Sequence, residues 1–249
     1  MKVSIVTVTW NSAKTIARAM DSVLHQTYTD IEYVVVDGGS TDGTIDIIQS
    51  YEPKFKGRLY WISEKDEGIY DAMNKGIKMA TGDVVGILNS DDFFTSYYVM
   101  ERMVAEFTDD VEAVYGDVHY VRESDLQKNI RSYSGRLFHP WMVRFGFIPP
   151  HPSFYVRRNT YLKYGLYDKS FRISADVEMI ARLTYVNKIP TKYISMDFVT
   201  MLVGGESTKS IHNRWLGTKE DLTACHKLGI KSNILFVHFK YFLKFFGYL

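Results

Sequence analysis

The stretch YVVVDGGSTDGT, residues 33–44, decides the fold class. Tyr33 to Val36 is a strand-forming run without polar interruption; it stops at Asp37, and glycines, Ser40, Thr41 and Asp42 follow. That is a short buried strand ending in a turn. Working outward, Val3 to Val8 reads as a strand and Ala13 to Leu24 as a helix before it, and Thr44 to Tyr51 as a helix after it. Strand, helix, strand with short connections implies parallel pairing. The alternation continues with a strand at Leu59 to Ile62, a helix at Ile69 to Ala80 and a strand at Val84 to Leu88. The expected architecture is α/β and three-layered, with a mainly parallel central sheet.

Beyond Phe94 the pattern loosens. A helix to Phe107 leads to a strand at Ala113 to Val118, a polar loop, and the Pro-rich run 147–152; loops of this kind tend to wall ligand sites. Helices are expected near Val156 to Tyr164 and Ala175 to Val186. The domain is expected to span 1–210, with a helical extension over 211–249. The extension ends in an aromatic run, 233–249, with Lys240 and Lys244 four residues apart. This fits a helix lying in a membrane interface, and equally one packed on the main domain or on a second subunit of a homodimer.

With 249 residues, 46% hydrophobic and 24% charged, the chain can bury a full core. Its 30 basic and 29 acidic residues nearly cancel, so no overall field favours nucleic acid. Cys225 is the single cysteine, which excludes an internal disulfide framework and a cysteine-rich zinc site and fits a reducing, cytoplasmic compartment. No segment reaches the roughly 18 uninterrupted apolar residues of a membrane span.

In an open parallel sheet, ligands gather at the carboxyl ends of the strands. Here those ends are Thr9-Trp10-Asn11, Asp37 to Thr44, Glu64-Lys65-Asp66 and Asn89-Ser90-Asp91-Asp92. Adjacent carboxylates repel unless a cation, a helix N-terminus or water relieves them. Asp91 and Asp92 therefore read either as caps of the helix that follows or as a divalent metal site. An aspartyl phosphatase would need a second acid two residues after Asp37, where Gly39 stands. Neither Gly-x-Gly-x-x-Gly nor the P-loop pattern follows the first strand.

VSIVTVTWNS (3–12), VVVDGGSTDGT (34–44), SEKDEGIYDAMNKGIKMATGD (63–83), GILNSDD (86–92) and HPSFYVRRNTYLKYGLYDKSFRISADVEM (151–179) together resemble the family 2 glycosyltransferases of GT-A fold, over residues 3 to about 207. The resemblance implies an inverting transferase that uses a nucleotide-sugar donor, by preference a UDP-sugar, with Mn²⁺ or Mg²⁺. If the aromatic run 233–249 lies on a membrane, the chain would make peripheral contact with the inner face of the cytoplasmic membrane, with a glycan or lipid-linked oligosaccharide as acceptor and bacterial surface polysaccharide synthesis as the setting.

By the same resemblance Thr9, Trp10, Asn11, Asp37, Asp66, Asn74 and Asp91 would hold the nucleotide-sugar, Asp92 would ligate the metal, and Asp176 would be the catalytic base. Glu178, on the acceptor side, is a lesser candidate for the base, and His212, after a segment like the family's closing loop, would add a metal ligand or touch phosphate; from their place in and before the Pro-rich run, His151 and Trp141 would wall the acceptor pocket. Val8, Gly38, Met73 and Asn89 depart from the family pattern and leave open a catalytically silent nucleotide- or glycan-binding domain that serves as an assembly partner. Position alone reads Asp176 as a helix cap, Trp141 as core and His212 as surface.

Overall fold

The computed structural model describes residues 1–204 and 211–245, with the backbone alone at 211 and 240–245. The first half follows the expected alternation: β1 (Val3–Thr9), α1 (Ile16–Leu24), β2 (Ile31–Asp37), α2 (Thr44–Phe55), β3 (Leu59–Ser63), α3 (Ile69–Met79) and β4 (Val84–Ile87). In α1 the apolar spacing buries Ile16, Ala19, Met20 and Val23 on one face. β1 and β2 are buried along their whole length, so the sheet must be covered on both sides. Val34 and Val36 join a core with Tyr70, Met73 and Ile77 of α3, whereas Tyr33 and Val35 join another with α1 and α2. The period of two along β2 thus makes the sheet the middle of three layers.

The chain continues through β5 (Phe93–Phe94), α4 (Val99–Val104), β6 (Ala113–Val121), β7 (Arg131–Tyr133), β8 (Tyr155–Arg157), α5 (Arg158–Tyr164), α6 (Ala175–Ala181), β9 (Thr191–Leu202), α7 (Ile211–Lys227) and α8 (Ile234–Phe245). The sheet order is β3-β2-β1-β4-β8-β6-β9-β5, with β7 paired to β6. β1, β2, β3, β4, β6 and β9 run one way, and β5, β7 and β8 the other. The mainly parallel sheet is as expected. The register of β1 on β2 ends at Thr9 opposite Asp37, so the loops leaving both strands start side by side.

The second half departs from expectation. The helix foreseen from Val156 begins only at Arg158, because Tyr155–Arg157 is drawn into the sheet as β8, antiparallel to both β4 and β6. Gly86 makes room for it: a Cβ there would lie 2.0 Å from the Tyr155 ring. The helix foreseen to Val186 is α6 only to Ala181, and a wider π-type turn covers Arg182–Val186. Part of the polar loop after β6 returns as β7. β9 was not foreseen, since Lys192, Ser195 and Asp197 interrupt its apolar pattern and much of it is only half-buried.

α7 is built into the main body. Ala224 and Cys225 enter the same core as α3 and α6. Its Glu220 carboxylate accepts backbone N–H bonds from Arg172 (3.0 Å), Ile173 (2.8 Å) and Ser174 (3.0 Å), fixing the turn from which α6 starts.

At the opposite end of β2 sits Glu32, 2% exposed. Burial alone would raise its pKa, but bonds from Lys2, Ser4 and Thr81 outweigh that and hold it down at about 2, against an ordinary 4.5. A depressed carboxyl pKa stabilises the fold above the unfolded value, and this contribution is lost as pH falls toward the folded one. Urea titrations should therefore show about 3 kcal/mol lost from this group between pH 4.5 and 2, and Glu32→Gln should flatten that part of the profile. An unchanged profile in the variant would rule out the role.

Candidate active site

Three loops leave the carboxyl ends of β1, β2 and β4 and are tied together. Asn11 adopts φ +50°, a left-handed conformation that asparagine tolerates better than most residues. Its N–H donates to Ser40 Oγ (2.7 Å), and its Oδ1 accepts from the Thr41 N–H (2.9 Å). The Ser12 N–H reaches Thr44 Oγ1 at 2.8 Å, and the Ala13 N–H reaches Asp42 at 3.0 Å. Ser90 Oγ donates to Ser12 Oγ at 2.9 Å, which brings in the β4 loop. The rim is fixed by its own hydrogen bonds.

Asp37, fully buried, is the organiser of the β2 loop. Its carboxylate accepts the N–H groups of Gly39 (3.0 Å) and Ser40 (2.9 Å), the Ser63 hydroxyl (2.6 Å) and the Ser40 hydroxyl. Asn74 is likewise engaged: its Nδ2 donates to the Tyr167 carbonyl (2.8 Å) and its Oδ1 accepts the Tyr167 N–H (2.9 Å). Asp66 pairs with Lys75 at 2.8 Å. It fills the space beside Gly38, where a Cβ would fall 2.8 Å from Asp66 Oδ2 and 3.5 Å from Trp10. Glycine at 38 and Asp66 are thus one arrangement. Trp10 itself is 68% exposed, an open aromatic face above this loop.

At the end of β4, Asp92 is 2% exposed, and Asn89 Nδ2 donates to its Oδ2 at 3.0 Å. Burial, then the charge of Asp91, push the Asp92 carboxyl well above the usual range; burial also raises Asp91. A buried, mutually repelling pair of this kind suits a hard cation, which would stabilise both ionised forms. Among the buried polar atoms with no partner are Thr9 Oγ1 at the end of β1 and Asn89 Oδ1 in the loop after β4. Buried polar atoms are rarely left unmatched, so a polar ligand is the natural complement of these two. Among the described residues no cluster of three or more His, Cys, Asp or Glu forms a metal cage, so a cation here would take its remaining ligands from substrate oxygens and water.

Asp176 lies in the first turn of α6, its Oδ1 accepting the Val177 N–H at 2.9 Å. Tyr70, Tyr133 and Tyr167 surround it; their hydroxyls are pushed above the ordinary value by burial first, with the Asp176 charge contributing. Tyr70 donates to the Ile173 carbonyl and Tyr133 to the Ile148 carbonyl. Tyr120, also raised chiefly by burial, feels Asp92 instead. β6 pairs with β7 as Tyr120↔Arg131 and Val118↔Tyr133, so the strand pair carries both Tyr120, which feels the Asp92 charge, and Tyr133, which feels that of Asp176.

The sequence profile of Glycosyl transferase family 2 matches residues 4–172. The chain belongs to that family. This family 2 member is 31% identical over 238 residues to a "PGL/p-HBAD biosynthesis glycosyltransferase" of Mycobacterium bovis (strain BCG / Pasteur 1173P2), covering 94% of this chain and 89% of the other. A glycosyltransferase of Mycobacterium tuberculosis (strain CDC 1551 / Oshkosh) is 32% identical, over 84% of this chain and 79% of the other. Among solved structures, S. aureus TarS 1-349 superposes with a TM-score of 0.68 at 17% identity, over 98% of this chain and 73% of that one. The mannosyltransferase PcManGT from Pyrobaculum calidifontis, in complex with GDP-Man and Mn²⁺, gives 0.65 at 19% identity, over 91% and 63%. The fold of the family 2 member is therefore GT-A.

Several expected residues of the family 2 member lie elsewhere or are otherwise engaged. The Glu178 carboxylate is buried and pairs with Arg182 through two bonds, 2.9 and 3.1 Å, while Arg182 also caps the carbonyls of Tyr164, Gly165 and Leu166; it is an anchor of α5 on α6. Trp141 lines a groove with Thr184, Tyr185, Lys188 and Ile189, which precede the start of β9, whereas β5, next to Asp92, pairs with Val199 and Thr200 near its end. His151 Nε2 meets the Tyr167 hydroxyl at 2.7 Å, and burial pushes its pKa down to about 4, so it is neutral at pH 7 and stands beside the tyrosines near Asp176. His212 is exposed on the first turn of α7 and joins no three-residue cluster with Asp91 and Asp92; the closing-loop segment expected before it, 205–210, lies outside the described residues.

Sequence reading missed Arg18. Its guanidinium lies 5.1 Å from the Phe93 ring, pairs with Glu123 at 3.0 Å, and draws the pKa values of Asp91 and Asp92 downward against burial. No local pattern marks it, because Glu123 lies 105 residues away.

Proposed function

We propose that this chain transfers a sugar from a nucleoside-diphosphate donor, by preference a UDP-sugar, to an acceptor hydroxyl with inversion, assisted by Mn²⁺ or Mg²⁺. The observation that carries the reading is the Asp91/Asp92 pair at the end of β4, one acid half-buried and the other buried, with both carboxyls raised chiefly by burial. Asp92, with Asp91 beside it, would hold the cation, which would neutralise charge building on the departing diphosphate. Thr9 and the open face of Trp10 would receive the nucleoside, Asp66 would border it, and Asn11 and Asp37 would shape the pocket through their loop bonds. Asn74 would act through Tyr167, keeping that ring beside Asp176 and His151.

In the transfer, the acceptor oxygen forms a bond to the anomeric carbon as the carbon–oxygen bond to the diphosphate breaks. The electron pair leaves on the phosphate oxygen, and the hydroxyl proton passes to the Asp176 carboxylate. A carboxylate is a weak base, so proton removal accompanies attack, and orientation matters more than pKa. The GT-A body would comprise residues 1–210, with the helices beyond it as an extension. Bacterial surface polysaccharide assembly on the inner face of the cytoplasmic membrane, with a glycan or lipid-linked acceptor, is the setting that fits.

One observation favours a second reading, a silent binding domain: the Asp37 and Asn74 side chains are engaged by the protein itself, Asp37 by Gly39, Ser40 and Ser63 and Asn74 by the Tyr167 main chain. Calorimetry of UDP and GDP with and without Mn²⁺, followed by donor turnover, separates the two. Transfer predicts UDP binding tightened at least about tenfold by Mn²⁺, together with metal-dependent release of UDP from a UDP-sugar. Metal-independent binding without turnover would favour the silent domain.

A further inference from the structure

Trp141 meets Phe145 edge-on at 5.9 Å, and Phe145 meets Phe236 at 5.1 Å and Phe239 at 5.8 Å on α8. Much of this cluster stands in water: Trp141 is 53% exposed, Phe239 43%, Phe236 39%, and Leu235 beside them 77%. The helix is nevertheless held in place, by fully buried Val237 and by the Ser232 hydroxyl donating to the Arg144 carbonyl at 2.5 Å. Packing fixes α8 and leaves its outer side apolar. A contiguous exposed aromatic patch marks a binding surface.

The charge of the same segments indicates the partner. Residues 222–249 include Lys231, Lys240 and Lys244, besides Lys227, which pairs with Asp168, and no Asp or Glu; residues 126–167, which carry the Pro140–Phe145 turn with Arg144, also contain no acid. The whole chain is nearly neutral at +1, so these segments hold an excess of its positive charge. A second copy would set one basic segment against another, which repels. An anionic lipid surface satisfies both features: aromatic rings settle among headgroups, and lysines meet anionic phosphates.

We propose that α8 and the Pro140–Phe145 turn form one docking surface for an anionic bilayer. Among the described residues no helix is long and apolar enough to cross a membrane, so the contact is peripheral. The proposal deepens the sugar-transfer reading, on which it rests for the lipid-borne acceptor.

The test is flotation of the full chain with vesicles of phosphatidylcholine alone and with about a third phosphatidylglycerol, with UDP affinity measured on the same samples. Binding to the anionic vesicles should exceed that to neutral ones by at least about tenfold, and Leu235→Glu and Lys231→Glu should each weaken it several-fold while leaving UDP affinity unchanged. Failure to float with either vesicle, equal binding to both, or a vesicle-independent dimer abolished by Leu235→Glu would overturn the proposal. Flotation retained without any nucleotide binding would uphold the docking surface and sink the transfer reading.

Discussion

Asp92→Ala is expected to abolish the Mn²⁺ dependence of UDP binding and to lower turnover of a UDP-sugar by about 10²–10³-fold, as losses of a charge-stabilising group commonly do. Asp92 is the buried member of the pair, and the side chain beside it that contacts it is Asn89, which is neutral. Asp91 is half-buried, and the Arg18 charge draws the pKa values of both acids downward against burial. The variant should fold at least as well as the parent without metal. Burial and the neighbouring acid make the ionised Asp92 costly, and removing the group removes that cost. Calorimetry with a thermal melt reads both effects. If the variant kept full Mn²⁺-dependent UDP binding, the cation would have to sit elsewhere.

Asp176→Asn should leave Mn²⁺-dependent UDP binding within about twofold and reduce transfer to acceptor by about 10²–10⁴-fold, the usual span for a lost general base. Asparagine keeps the oxygen that accepts the Val177 N–H, so the start of α6 is preserved and stability should change by less than about 1 kcal/mol. Single-turnover transfer, with UDP titrations alongside, would show the split between chemistry and binding. Loss of UDP affinity equal to the loss of rate would mean that Asp176 binds donor and is not the base.

The first half of the fold was legible because β1, β2 and β4 are buried on both faces and the helices between are amphipathic, so each period states its partner directly. Val34 and Val36 against Tyr33 and Val35 is the clearest case. β8 was not legible: residues Tyr155–Arg157 have no periodicity of their own, and their strand state is set by β4, β6 and the cleared surface of Gly86. Position along the rim was similarly legible, since strand ends announce themselves, and Asp91, Asp92 and Trp10 stand where the pattern put them. What each polar side chain does there was not. Asp37, Asn74 and Glu178 sit at suggestive positions, yet their hydrogen bonds return to the protein itself, and a one-dimensional pattern does not distinguish an inward bond from an outward one. Arg18 and Glu123 needed the closed fold to meet.

The Glu220 clamp makes α7 a mount. One carboxylate grips three consecutive N–H groups of the turn that ends at Ser174, two residues before Asp176, with little slack in bonds of this length. The far flank of the same helix carries Trp215, whose ring lies 6.3 Å from that of His238 on α8. One helix thus touches α8 on one side and holds the turn before Asp176 on the other. The turn before Asp176 is therefore mounted on a helix that comes after β9, so shortening the protein there would take away both the Glu220 clamp and the Ala224 and Cys225 side chains of the shared core.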